Sequence, residues 1–179
     1  SAIFATAAAN ARCSHAVWTT GEGFNRVPND NQPPSAWGEI PVESAIPFEE
    51  AYGLLPPRLR RQGIRVIISD LFWPGDPLPT LRKLTEDAAA VHVVQLLAQS
   101  DVEPPDPGNV ELIDHETGET LSLYIDASMQ QQYRQTLKRL QQSWHDAARQ
   151  TGAQLVTLVA EQIDSSLHRL EEINALEPA

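Results

Sequence analysis

Cysteine is nearly absent from this 179-residue chain: Cys13 is the only one. That excludes an internal disulfide framework and an all-cysteine zinc site. It fits a reducing compartment. Cys13 is expected to be an inert buried thiol. Positive charge is scarce as well. Thirteen Lys+Arg stand against 24 Asp+Glu, a formal net charge of −11, which argues against binding nucleic acid through a general basic surface. No stretch approaches the roughly 20 consecutive apolar residues of a membrane span. Neither end pairs a charged region with an apolar one as a signal peptide does. Catalytic signatures are missing too: there is no Gly-x-Ser-x-Gly elbow, no phosphate-binding glycine loop, no His-Glu-x-x-His and no Gly-x-Gly-x-x-Gly. An apolar share of 41% with 21% charged residues is nevertheless globular. The expectation is one acidic, soluble, cytoplasmic domain over residues 1–179.

Thirteen of the 14 prolines precede residue 108, so the first part should be rich in turns and the last part more regular. Alanines over 2–13 predict a helix, and His15–Thr20 a short strand ended by Gly21 and Gly23. Prolines over 24–44 suggest a long irregular loop, and Pro47 the first turn of a helix. The β-branched run Ile64–Ile68 reads as a parallel strand buried on both faces. A helix near 79–88 and a second buried strand, Val91–Leu97, follow. Segments 110–114 and 121–125 read as a hairpin with Gly118 in its turn. Met129, Tyr133, Leu137, Leu140 and Trp144 form the apolar stripe of a long helix over 127–150. Gly152 stops it before a strand at 154–159, and an amphipathic helix carries Ile163, Leu167, Leu170 and Ile173. Strands alternating with helices predict a three-layer, Rossmann-like α/β fold. Its mostly parallel sheet should include 15–20, 64–69, 91–97 and 154–159, with the hairpin as an insertion.

Ser69-Asp70, directly after the strand 64–68, is the most informative spot, because ligands of open parallel sheets sit outside the strands' carboxyl ends. A carboxylate there can ligate a hard cation or accept hydrogen bonds. Phe72 and Trp73 follow where a loop normally meets solvent. Such a patch either folds back onto the domain or marks a contact surface. Asp114-His115-Glu116 reads as a solvated turn, because successive strand residues face opposite ways and cannot easily converge on one ion. His92 reads as a hydrogen-bonded core histidine, and Arg134, Lys138, Arg139 and Arg149 as a solvated basic helix face.

Gly63-Ile-Arg-Val-Ile-Ile-Ser-Asp-Leu-Phe72, Val91–Leu97, and Pro104-Pro105 leading into Gly108-Asn-Val-Glu-Leu-Ile-Asp-His-Glu-Thr-Gly118, with Tyr133 and Gly152-Ala-Gln-Leu-Val156, resemble a bacterial family over roughly residues 45–165. This is domain of unknown function 58, a branch of the von Willebrand factor A-like domains. The resemblance implies a non-enzymatic protein-interaction module working with a MoxR-type AAA+ ATPase. It also implies a degenerate metal-ion-dependent adhesion site, in which Asp70 matches the third-loop aspartate. Ile46 stands at the usual Thr, with Ser44 a displaced substitute. The first motif, Asp-x-Ser-x-Ser, is not in the sequence. The chain is therefore expected to be N-terminally incomplete, lacking its first strand, with a homo-oligomer as one way of completing the sheet. No cofactor is expected, Mg2+ entering only if that motif is supplied, and Asp70 being the residual ligand. Ser69, Asp70, Phe72 and Trp73 are the expected partner-binding residues. The competing reading is a doubly wound hydrolase or nucleotide-binding enzyme using Asp70.

Overall fold

The computed structural model describes all residues except Glu22, Glu39, 41–45, Pro47, Pro74, 114–118 and 177–179. The expected solvated turn Asp114-His115-Glu116, the turn glycine Gly118, Ser44 and Pro47 lie outside the described residues. Backbone contacts divide the chain into two compact units, one spanning Ser1–Arg60 and one beginning at Arg61.

The first unit opens with helix α1 (Ala2–Asn10), as its alanines demand. Strand β1 (Trp18–Thr20) then pairs antiparallel with β2 (Phe24–Arg26) as a separate two-stranded sheet. This corrects two expectations. The strand at 15–20 is shorter and does not join the parallel sheet, and the loop from residue 24 begins as its hairpin partner. The reason is local. A connection of three residues, Gly21 to Gly23, closes a hairpin at little entropic cost, and the Gly21 amide donates to the Gly23 carbonyl at 2.9 Å. Gly23 also tolerates no side chain, because a Cβ there would lie 2.7 Å from that of Leu55. Helix α2 (Phe48–Leu54) packs Phe48 and Tyr52 edge-on to Phe24, with ring centroids 5.2 and 5.9 Å away. Ala5, Val27 and Trp37 form a small core. Asp30, only 3% exposed, accepts from the Val17 amide and from both Nε and Nη2 of Arg26, each at 2.9 Å. Those Arg26 bonds, set against burial, hold its carboxyl below the usual carboxylate range. Cys13, expected to be buried, is exposed just beyond the end of α1.

The second unit is built on a three-stranded parallel sheet ordered β3 (Ile64–Ser69), β4 (Ala90–Leu97), β7 (Gln154–Val159). β4 is central, and its burial is nearly continuous. β3 is a sheet edge. Ile64 is 70% exposed and the rest of the strand half-buried, so the expected burial on both faces does not hold for it. Helix α3 (Pro77–Thr85) starts where Asp76 Oδ1 accepts the Leu78 amide at 2.9 Å, with Pro77 in the first turn. Helix α5 (Ala127–Thr151) starts where Asp126 accepts the Met129 amide at 2.7 Å. It stops at Gly152, whose φ of 74° only glycine adopts freely. α3 and α5 pack on each other and on the sheet face of Val93 and Gln95. His92 points to the opposite face, and its Nδ1, expected to be hydrogen-bonded, is buried with no hydrogen-bond partner among the described residues.

That face is covered by a segment expected to be one helix but broken into a 3-10 turn (Ala160–Gln162), α6 (Ile163–Ser166) and α7 (His168–Glu172). Leu170 is buried, and Arg169 Nη1 donates to the Thr157 carbonyl at 2.6 Å. A short helix α4 (Gln99–Val102) follows β4, and β5 (Gly108–Ile113) and β6 (Thr120–Ile125) form the expected antiparallel hairpin. No helix among the described residues is long and apolar enough to cross a membrane.

Candidate functional site

The carboxyl ends of the three parallel strands lie at one edge of the sheet, and the loop leaving β3 turns there in two tight steps. Ser69 Oγ accepts the Leu71 amide at 3.1 Å, and Asp70 Oδ1 accepts the Phe72 amide at 3.1 Å. These side chains replace the ladder with a local turn, as Ser and Asp do readily. The turn forces Leu71 to φ 61°, a left-handed conformation disfavoured by roughly 1–2 kcal/mol for a residue with a Cβ. Leu71 tolerates it because its side chain is fully buried.

Two distant side chains hold the loop. Gln95, 1% exposed in the middle of β4, donates its Nε2 to the Asp70 carbonyl at 2.9 Å. Its Oε1 accepts the Thr157 hydroxyl at 2.8 Å and Gln141 Nε2 at 3.4 Å, which ties the loop to β7 and α5. Trp144 of α5 donates its indole N–H to the Leu71 carbonyl at 3.2 Å. Trp73 stacks edge-on against Trp144, with centroids 5.1 Å apart and planes at 77°. Phe72, between them, is 42% exposed.

The four residues singled out in the sequence thus occupy one loop in different roles. Ser69 and Asp70 shape the turn, Trp73 packs onto the helix behind it, and Phe72 projects. Neither Gln95 nor Trp144 was singled out as a site residue. A glutamine inside the run Val91–Leu97 was the available signal, since a buried amide must find partners. Along the same edge, Glu161 Oε2 accepts the Gln99 amide and Asp101 Oδ2 the Ala98 amide, both at 2.8 Å.

The fit of this edge to a divalent cation is poor. Among the described residues no group of three or more His, Cys, Asp or Glu side chains gathers. Ser69 Oγ and Asp70 Oδ1 are already engaged with the loop's own amides. Mg2+ needs near-octahedral oxygen coordination, and this pair alone does not compose it.

A model of the family described as "Protein of unknown function DUF58" matches residues 37–167. The chain belongs to this family. The match takes in the β3 loop, Gln95, Trp144 and the hairpin, so the turn and both its tethers lie in the DUF58 region. The chain is also similar to the uncharacterized protein MAV169 of Mycobacterium avium, 36% identical over 102 residues. The aligned part is 55% of this DUF58 chain and spans 58% of that protein's length. No solved structure matches it.

Proposed function

We propose that this chain is a non-enzymatic interaction module that docks a protein partner through the loop after β3. The observation that carries the reading is Phe72: a large aromatic side chain held out at 42% exposure by a turn tethered on both sides. A preorganised aromatic loses little conformational freedom on binding, and such residues dominate interface hot spots. The position outside the carboxyl ends of parallel strands supports the reading, since that is where such sheets present ligand sites. The von Willebrand factor A-like resemblance makes a MoxR-type AAA+ ATPase the partner of this proposal, and the −11 charge suits a basic patch on it.

The test is a pull-down with the MoxR-type ATPase of the same organism, with melting temperatures measured in parallel. Phe72→Ala should weaken binding by about 2 kcal/mol, roughly 30-fold. Stability should change by less than about 1 kcal/mol, as for exposed positions. Trp73→Ala is expected to lower stability first, because its ring packs against Trp144. Full binding by a folded Phe72→Ala variant would refute the docking role of the loop.

A further inference from the structure

The strand register sets Val66 of β3 and Gln154 of β7 on either side of His92, all three on one face of the parallel sheet. On that face of the three strands no side chain other than His92 can carry a charge. His92 is only 4% exposed, and its Nδ1 has no hydrogen-bond partner among the described residues. A buried ring nitrogen without a partner is a costly exception in a folded chain. A proton added there would place a charge among apolar neighbours. Burial disfavours that charge and the nearby Ile173 backbone favours it, with burial the larger influence, so the imidazole pKa is lowered.

The segment that covers this face, residues 160–176, is weakly built. Its 3-10 turn, α6 and α7 span three to five residues each, and none has a side-chain cap. Helices this short do not stand alone in water. Leu170, 2% exposed, is the segment's one buried residue. Three side-chain hydrogen bonds tie it to the rest of the unit among the described residues, all at exposed positions. Arg169 donates to the Thr157 carbonyl, Glu161 Oε2 accepts the Gln99 amide, and Gln162 Nε2 donates to Gln99 Oε1 at 3.1 Å. The segment's ionisable side chains, Glu161, Asp164, His168, Arg169, Glu171 and Glu172, are all exposed. Helices α3 and α5 lie on the other face, and α4 meets the far end of β4, where Asp101 accepts the Ala98 amide. No carboxylate therefore stands ready to pair with a charged His92.

We propose that residues 160–176 form an acid-released strap: protonation of His92 detaches the segment from the sheet while the three strands stay paired. With the strap closed, a charged imidazole has neither water nor a counter-ion. With the strap open, water reaches both ring nitrogens. The proton and the closed strap thus exclude each other, and each weakens the other by the same factor. The strap gives way before the strands because it holds the fewest buried apolar contacts, the mark of a segment that opens locally. Release starts as the pH falls below about 6.5 and is complete below the lowered pKa of the closed form. Each pKa unit between the two forms multiplies the opening about tenfold. Opening uncovers Val94, Val156 and Leu158, none of them more than 4% exposed in the closed form. The strap is separate from the Phe72 loop, and the proposal does not depend on that reading.

Amide hydrogen exchange of the full chain, read by NMR at about pH 7.5 and about pH 5 and corrected for the intrinsic pH dependence of exchange, tests this. The reporters are the amides of Leu170, Asn174 and Ala175, which donate to the Leu167, Glu171 and Leu170 carbonyls. At the higher pH they should be less protected than the amides of β4. At the lower pH their protection should fall by about a further tenfold. His92→Leu, which keeps the site filled and uncharged, should abolish that fall. Leu170→Asn removes the strap's buried anchor without adding charge. In this variant the sheet should remain folded, and the His92 ring should titrate at its ordinary value, about 6.5. Strap amides as well protected as β4 would overturn the proposal, as would protection that does not change with pH. So would a fall that persists in His92→Leu, a Leu170→Asn variant whose sheet unfolds with the strap, or a His92 pKa still lowered in it.

Discussion

Replacing Gln95 by Met isolates the polar tether of the β3 loop, because Met matches the length and most of the volume of Gln and removes only its hydrogen bonding. The structure sets the magnitude. The Asp70 carbonyl loses its 2.9 Å donor and the Thr157 hydroxyl its 2.8 Å acceptor, both on part-buried bonds. Each unsatisfied group costs about 1–3 kcal/mol when water cannot replace the partner. The 3.4 Å bond from Gln141 is too long to count for much. Gln95→Met should therefore cost about 2–4 kcal/mol, within the usual range for breaking a buried network. For a domain of this size that lowers Tm by roughly 10 °C.

Urea denaturation followed by tryptophan fluorescence reads the loss, since Trp73 and Trp144 sit against the loop. Adding Thr157→Val removes the orphaned hydroxyl, so the double variant should be more stable than the sum of the two single losses by about 1 kcal/mol. A Gln95→Met loss below about 0.5 kcal/mol, or strict additivity with Thr157→Val, would show that the amide does not hold the loop.

Two smaller predictions concern the same unit. At Leu71, whose φ is 61°, both Leu71→Ala and Leu71→Gly empty a buried site, yet the Gly variant should be the more stable by about 1 kcal/mol; equal stability or the opposite order in chemical denaturation would mean that the left-handed turn carries no strain. His92 has its pKa lowered chiefly by burial, the nearby Ile173 backbone opposing it. The unfolded chain therefore binds the proton first as pH falls below about 6.5, and stability declines from there until the lowered folded pKa is passed. His92→Leu should flatten that limb of the stability–pH curve, and an unchanged slope would assign it to other groups.

The location of the candidate site was legible because its signal is local and directional. A β-branched run ending in Ser-Asp marks the carboxyl end of a parallel strand, and Phe72-Trp73 follow it directly. Which of the two aromatics faces solvent was not legible. Trp73 is turned inward by a helix residue 71 positions later, Trp144, and the turn is tethered by Gln95, 25 positions after Asp70. Neither partner has a sequence signature that names the loop as its target.

Periodicity and punctuation by themselves determined the long elements. The alternating fours and threes of 129–144 made one helix between Asp126 and Gly152, and the apolar runs at 64–69, 91–97 and 154–159 made three strands of one parallel sheet. Only tertiary structure decided how the remaining segments pair and which faces are covered. Trp18–Thr20 had the composition of a sheet strand, but the nearest partner across Gly21 and Gly23 outcompeted a distant one. Ile64–Ser69 had the composition of a central strand and became an edge, since the number of partners is a property of the assembled sheet. The amphipathic pattern after residue 160 predicted one helix and yielded three short turns, which seat Leu170 and the Ile173 backbone against the His92 face. Local backbone preferences are set by neighbours a few residues apart, so a sequence displays them. Burial and pairing depend on contacts dozens of residues apart, and these exist only once the chain has closed on itself.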